Sequence, residues 1–282
     1  MVEAMLPLRS LTSHHSEMRT YLVQPGSGVD LEDIDPDDVH LVPGGKAEAK
    51  KKNAAIQKRM GQLQELLYAG REKKVLIVLQ GMDTSGKDGT IRHVMGGFNP
   101  QSTRVVSFGK PSPEELDHDY LWRIHRQVPK KGEVVVFNRS HYEDVLVVRV
   151  HSLVPKSVWK KRYNQINAFE QMLADEGTVI LKFFLHISRD EQRARLQARV
   201  DDPQKRWKFQ HADLEERKLW DDYQRAYEDA MSKTSTKEAP WYVVPANQKW
   251  YRNYVVGSVV VDTLEELQLT YPKVDLSGII VK

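Results

Sequence analysis

Residues 75–79, VLIVL, form an unbroken apolar run that passes directly into QGMDTSGKDGT (80–90). A strand without polar alternation is buried on both faces, which confines it to the interior of a sheet covered by helices. The same pattern returns in EVVVFN (133–138) and TVILKFFLHI (178–187), and more weakly in TRVVSF (103–108) and WYVVPA (241–246). Between them, helical spacing predicts helices over 46–70, 89–96, 113–127, 156–175, 189–200, 213–232 and 248–269. In the first of these Ile56, Met60, Leu63 and Leu67 share a face, and Gly70 stands where the helix should stop. Buried strands alternating with helices predict an α/β fold: a parallel sheet in a three-layer α/β/α sandwich. Residues 1–45, with the acidic, proline-bearing DLEDIDPDD, predict an extended N-terminal extension, and 46–282 a single domain.

The turn after the apolar run carries the chemistry. Gly81, Gly86 and Lys87 satisfy G-x-x-x-x-G-K between a strand and a helix, the context a phosphate-binding loop requires. Backbone N–H groups of Gly81, Thr84, Ser85, Gly86, Lys87, Asp88 and Gly89 are candidates to surround phosphate oxygens, helped by the helix N-terminus. Lys87 supplies a full charge to a transferring phosphoryl group. Asp88 stands where a magnesium-holding hydroxyl residue is usual, and reads as a first-turn carboxylate. Asp83 sits inside a pocket built for anions. A carboxylate there repels phosphate unless a cation intervenes, so Asp83 is expected to work through Mg²⁺, with Mn²⁺ as an alternative, or to orient an acceptor phosphate.

Asn138, Arg139 and Ser140 follow the buried strand 133–138, at the edge where α/β sheets gather ligands. Arg139 suits bidentate phosphate binding. Asn138, Arg139, Glu143 and Asp144 are the candidate acceptor-nucleotide residues, with Glu143 or Asp144 as further metal ligands. Arg195 and Arg199, four apart, share a helix face, and DDPQKRWK (201–208) then breaks that helix and adds Lys205 and Lys208 around Trp207. A basic segment of this kind, at about 200–215, is placed to close over phosphates.

Composition removes other chemistries. There is no cysteine, which excludes disulfides, thiol nucleophiles and cysteine metal sites, and the ten histidines are scattered. No run reaches the roughly 18 apolar residues of a membrane span, and the N-terminus lacks an apolar signal core; a cytoplasmic protein without a membrane partner is expected. A net charge of +3 is too small to imply a polyanion partner by itself, although basic clusters recur at 46–52, 71–74, 129–131, 159–162 and 203–208, and no nucleic-acid-binding motif is recognisable.

GMDTSGKDGT (81–90), PSPEELDHDYLWRIHRQVPKKGE (111–133), FNRSHYEDVLVVRV (137–150), EQRARLQARVDDPQKRWKF (191–209) and APWYVVPANQKWYRN (239–253) together resemble the polyphosphate kinase type 2 family over about residues 45–272. The resemblance implies a P-loop kinase-like fold with a helical lid. It implies Mg²⁺-dependent phosphoryl transfer between inorganic polyphosphate and adenine or guanine nucleotides, by a homo-oligomer (dimer or tetramer). Carried over by motif, Asp83, Lys87, Arg139, Arg195, Arg199 and Lys208 match functional positions, with Asp83, Lys87, Arg139 and Arg199 as the catalytic set. FNRSHYED, with Asn138 in place of an aspartate, resembles the branch that accepts both AMP and ADP. Two rivals remain: an ATP-dependent nucleotide or small-molecule kinase of the same fold, and a phosphate-loop regulator that binds nucleic acid.

Overall fold

The computed structural model describes residues 17–281. Six strands form one sheet: β1 (Leu22–Val23), β2 (Lys74–Gln80), β3 (Thr103–Ser107), β4 (Val134–Asn138), β5 (Thr178–His186) and β6 (Trp241–Pro245). Their order is β1-β6-β5-β2-β4-β3, parallel throughout except for β1, which pairs antiparallel with β6. The α/β fold with a mostly parallel sheet is therefore as expected. The sixth strand is not: the extension predicted to be an open arm contributes a two-residue edge through Leu22 and Val23. Its first sixteen residues lie outside the described range.

Val75 to Leu79 are each 1% exposed or less, as are Val134 to Phe137, so both faces of the central strands are covered. Burying each such side chain contributes about 1.5–3 kcal/mol. The helices are α1 (Gly45–Gly70), α2 (Lys87–Val94), α3 (Pro113–Asp117), α4 (Trp122–His125), α5 (Val147–Val150), α6 (Lys156–Asp175), α7 (Arg189–Asp201), α8 (Ala212–Lys218), α9 (Trp220–Thr234) and α10 (Lys249–Glu266). Helices α1, α2 and α10 pack together as one group and α5, α6 and α9 as another. Among the described residues no helix is long and apolar enough to cross a membrane.

Several expected helices are re-cut by local chemistry. The stretch 113–127 splits because Asp119 Oδ1 accepts the N–H of Leu121 at 2.9 Å, a local bond that competes with helix. The stretch 213–232 is two helices with a break at Leu219. Helix α1 ends at Gly70, but Arg71 rather than the glycine takes the left-handed conformation, with φ 50°. Helix α2 begins at Lys87, two residues earlier than expected, directly on the loop.

A buried ion pair anchors the segment behind β4. Lys182 and Glu170, 0% and 1% exposed, meet at 2.6 Å. Lys182 Nζ also donates to the Tyr142 hydroxyl (2.8 Å) and the Thr234 carbonyl (2.7 Å), and Tyr142 donates to Glu170 Oε1 (2.9 Å). His141 Nε2 lies 3.1 Å from the same oxygen. Burial would raise the Glu170 carboxyl, but the charge of Lys182 and the His141 hydrogen bond overrule it and hold the carboxyl below its ordinary range. Because His141 and Tyr142 follow Asn138–Arg139 with only Ser140 between, this cluster fixes where the β4 end points. Glu170→Gln, which strands the buried ammonium, should cost about 3–5 kcal/mol in urea unfolding, and Glu170→Leu with Lys182→Met should recover most of it.

Candidate active site

The register of β2 with its neighbours assembles the site. Leu79 pairs with Asn138, and Gln80 with Phe184, so the loop after Gln80 and the turn after Asn138 leave the sheet side by side. Arg139 takes φ 61° and donates its N–H to Leu79 O at 3.1 Å, which turns the chain back toward the loop. Arg139 Nη2 then reaches Asp83 Oδ1 at 3.1 Å.

The loop's carbonyl oxygens are held by side chains. Lys87 Nζ donates to Gly81 O (2.7 Å) and Met82 O (3.3 Å), and Gln192 Nε2 to Asp83 O (3.1 Å). Arg195 Nη1 donates to Thr84 O (2.9 Å) and Ser85 O (3.0 Å), and Arg252 Nη1 also reaches Ser85 O (3.3 Å). Thus every carbonyl from Gly81 to Ser85 has a side-chain donor. At the end of the loop Gly86, with φ 105°, is the N-cap of α2 and provides no side-chain cap. The first N–H groups of α2 therefore remain available to an anion.

Arg195 serves the loop from behind. Its remaining N–H groups go to Glu191 Oε1 (2.6 Å), Ala246 O (2.7 Å) and Asn247 O (2.9 Å), so all five donors bond within the protein. Arg199, one turn on, donates to Lys208 O (3.3 Å) and Asp213 Oδ2 (3.4 Å) and holds the α7–α8 connection together. Asp213 is within electrostatic reach of Asp83 and Arg139. Lys205 pairs with Asp202 at 2.6 Å, and Lys208 lies 5.0 Å from the centre of the Trp207 ring; both stay on the connection rather than on the loop.

The four acidic groups divide. Asp88 accepts from Asn138 Nδ2 at 2.9 Å, so these two predicted residues tie the start of α2 to the end of β4. Glu143 accepts from Gln80 Nε2 at 3.1 Å; burial pushes its carboxyl up, with Arg139, Gln80 and Lys87 opposing and Asp83 adding to the rise. Burial also lowers the Lys87 ammonium, against the pull of Asp83. Asp144 faces the other way, bonded to Arg162 at 2.9 Å, and burial lifts its pKa to about 6. Asp83, Lys87, Arg139 and Glu143 thus form one interacting set, and Asp144 stands apart from it.

Gln80 Oε1, Thr84 Oγ1 and Ser85 Oγ are buried in the same place without a hydrogen-bond partner. Two like-charged carboxylates beside unpaired hydroxyl and amide oxygens are a hard, all-oxygen donor set of the kind Mg²⁺ takes together with substrate phosphates. Among the described residues no group of three His, Cys, Asp or Glu is positioned to hold a metal unaided. Three supporting residues were not foreseen as site residues: Gln192, Arg252, and the buried Tyr227, which lies within electrostatic reach of Glu143, Arg139 and Asp83. Each arrives from a helix at least a hundred residues away in sequence.

The model of the Polyphosphate kinase 2 (PPK2) family matches residues 44–271. The chain belongs to this family. It is 60% identical over 256 residues to the AMP/ADP-polyphosphate phosphotransferase of Meiothermus ruber, covering 91% of this chain and 96% of that protein. It is 51% identical over 227 residues to the ADP-polyphosphate phosphotransferase of Rhodopseudomonas palustris, covering 76% and 78% of the two chains. The crystal structure of Polyphosphate Kinase 2 from Arthrobacter aurescens TC1 superposes with a TM-score of 0.87 at 47% identity, covering 92% of each chain.

Arg195→Lys tests the backing of the loop. Lysine keeps the charge but cannot span the loop and the β6 end with one nitrogen. The variant should fold with an unchanged far-UV spectrum and lose about 10²-fold in kcat/KM through misplacement of the loop.

Proposed function

We propose that this chain transfers a phosphoryl group reversibly between inorganic polyphosphate and AMP or ADP, yielding ADP or ATP. The observation that carries the reaction class is the Gly81–Lys87 cradle set against Arg139, Asp83 and Glu143. That pocket has cations and amides for two phosphate chains but no placed nucleophile. None is needed, because the acceptor is a phosphate oxygen already ionised near neutral pH. It forms a bond to the terminal phosphorus of the polyphosphate; the bridging P–O bond breaks, and the shortened chain leaves with the electron pair. The reverse step uses the same contacts. The relatives named for AMP, ADP and polyphosphate support the choice of substrates.

In this reading the fold is P-loop kinase-like, supported by the central β2 with β4 and β5 on either side. Helices α7 and α8 and their connection are the lid. Two of the three Lys87 ammonium hydrogens hold the loop, leaving the third for a phosphate oxygen. Arg139 orients the phosphates where acceptor and donor meet. Asp83, with Glu143 beside it, would hold Mg²⁺ or Mn²⁺, which supplies neutralisation of phosphate charge. Glu143, Asn138 and Arg139 line the acceptor side. Arg199 keeps the lid's turn folded. The reading also takes the protein as a cytoplasmic homo-oligomer.

Protein incubated with polyphosphate, Mg²⁺ and AMP or ADP, without ATP, should form ADP and ATP; no product with either acceptor would remove polyphosphate as donor and leave the ATP-dependent kinase. Asp83→Asn should lose about 10²–10³-fold in kcat. Its unfolding free energy should move by no more than about 1 kcal/mol, because the Asp83–Arg139 pair is partly exposed. Near-normal Mg²⁺-dependent turnover in that variant would defeat the role given to Asp83.

A further inference from the structure

Arg252 lies in the first turn of α10 and is 1% exposed. Its guanidinium fills the space behind Gly86, the N-cap of α2, and Gly89 in the first turn of that helix. A Cβ on Gly86 would stand 1.9 Å from Nη1, and one on Gly89 would stand 3.1 Å from Nη2. Apart from Ser85 O, its recorded bonds run to the neutral Asn253 Oδ1, at 2.9 and 3.2 Å. Burial, then the like charge of Arg195, hold its pKa down to about 9, so it is still a cation at neutral pH, and among the described residues no carboxylate oxygen lies within 4.0 Å of it. Lys249 joins the same group: burial, then Arg195, Arg252 and Lys205 lower its ammonium, with Glu191 alone opposing.

We propose that Arg252 is a positioning residue whose missing counter-charge is the bound polyphosphate, held on the opposite side of the Ser85–Gly89 backbone. The inference rests on polyphosphate being the donor. A buried charge without a partner costs several kcal/mol, and a phosphate chain one peptide layer away offsets it in a poorly screened setting. The ligand-free protein therefore gives up stability that the anion restores. The two glycines have a second purpose besides backbone conformation. They let a guanidinium approach the back of the loop, so that the loop's amides and a full charge act on the same phosphates.

Arg252→Gln removes the charge but keeps amide donors for Ser85 O and Asn253 Oδ1, and Arg252→Lys keeps the charge. Linear tripolyphosphate binding is measured by calorimetry at several salt concentrations, with AMP binding and the ligand-free melting temperature alongside. Arg252→Gln should melt no lower than the wild type, and bind tripolyphosphate about tenfold more weakly with a shallower salt dependence. AMP binding should be unchanged, and Arg252→Lys should regain most of the lost affinity. Unchanged tripolyphosphate affinity in Arg252→Gln would overturn the inference while leaving the donor reading intact. A lowered melting temperature would also overturn it, marking the residue as a structural strut. Wild-type protein that failed to bind tripolyphosphate would bring down the donor reading as well.

Discussion

The site depends on where the loop's carbonyl oxygens go. Five consecutive carbonyls, Gly81 to Ser85, are turned toward Lys87, Gln192, Arg195 and Arg252, and α2 starts without a side-chain cap. A peptide whose carbonyl is pinned outward presents its N–H the other way, so fixing the oxygens sets the amides in advance. Hydrogen bonds from charged donors contribute about 1.5–3 kcal/mol each, enough to hold a conformation that includes Thr84 at φ 66°. Polyanion binding then requires little reorganisation, the condition under which fixed dipoles act most strongly on developing charge.

The carboxylates make sense against that frame. In an empty cationic cradle some negative charge is required to keep Lys87 and Arg139 from repelling one another. Asp83 and Glu143 provide it, and the cost is visible in the way burial drives Glu143 upward. When phosphates enter, the same two groups become repulsive; in the proposed reading a divalent ion would offset this and couple metal to substrate binding. Asp88 is exempt because Asn138 holds it at the first turn of α2, where the helix dipole favours it. Asp144 is exempt because Arg162 draws it away.

Much of this was legible in the sequence, for reasons of range. Strands β2, β4 and β5 read correctly because a strand covered on both faces leaves an unmistakable apolar run. The strand–loop–helix around Gly81 and Lys87 read correctly because its geometry is local, set by glycines a few residues apart. Spacing was a poorer guide farther off. Arg195 and Arg199 share a face as expected, yet Arg195 spends four donors on backbone oxygens and the fifth on Glu191, and Arg199 closes the α7–α8 turn. Nothing in the order of residues says which of two arginines one helical turn apart will reach a loop a hundred residues earlier. Arg252, Gln192 and Tyr227 were invisible as site residues for the same reason. The break at Asp119 was missed because side-chain competition interrupts an otherwise helical pattern, and the break at Leu219 because leucine, a good helix former, leaves no mark of it in the sequence.

Among the described residues two cations, Lys182 and Arg252, are 1% exposed or less, and they are treated differently; the difference separates support from function. Lys182 lies under the β4 turn with Glu170 at 2.6 Å, a tyrosine hydroxyl and a carbonyl, so its charge is balanced within the fold in every state. Arg252 lies under the phosphate loop with two amide-type oxygens and a second arginine nearby. If burial alone were the purpose, the second arrangement would be a poor one, since a methionine of similar length would fill the space without the electrostatic penalty. A charge kept unbalanced next to a site for anions acquires a balance only when the site is filled. Structure and reaction therefore meet at this residue: the fold carries an electrostatic deficit that its substrate removes.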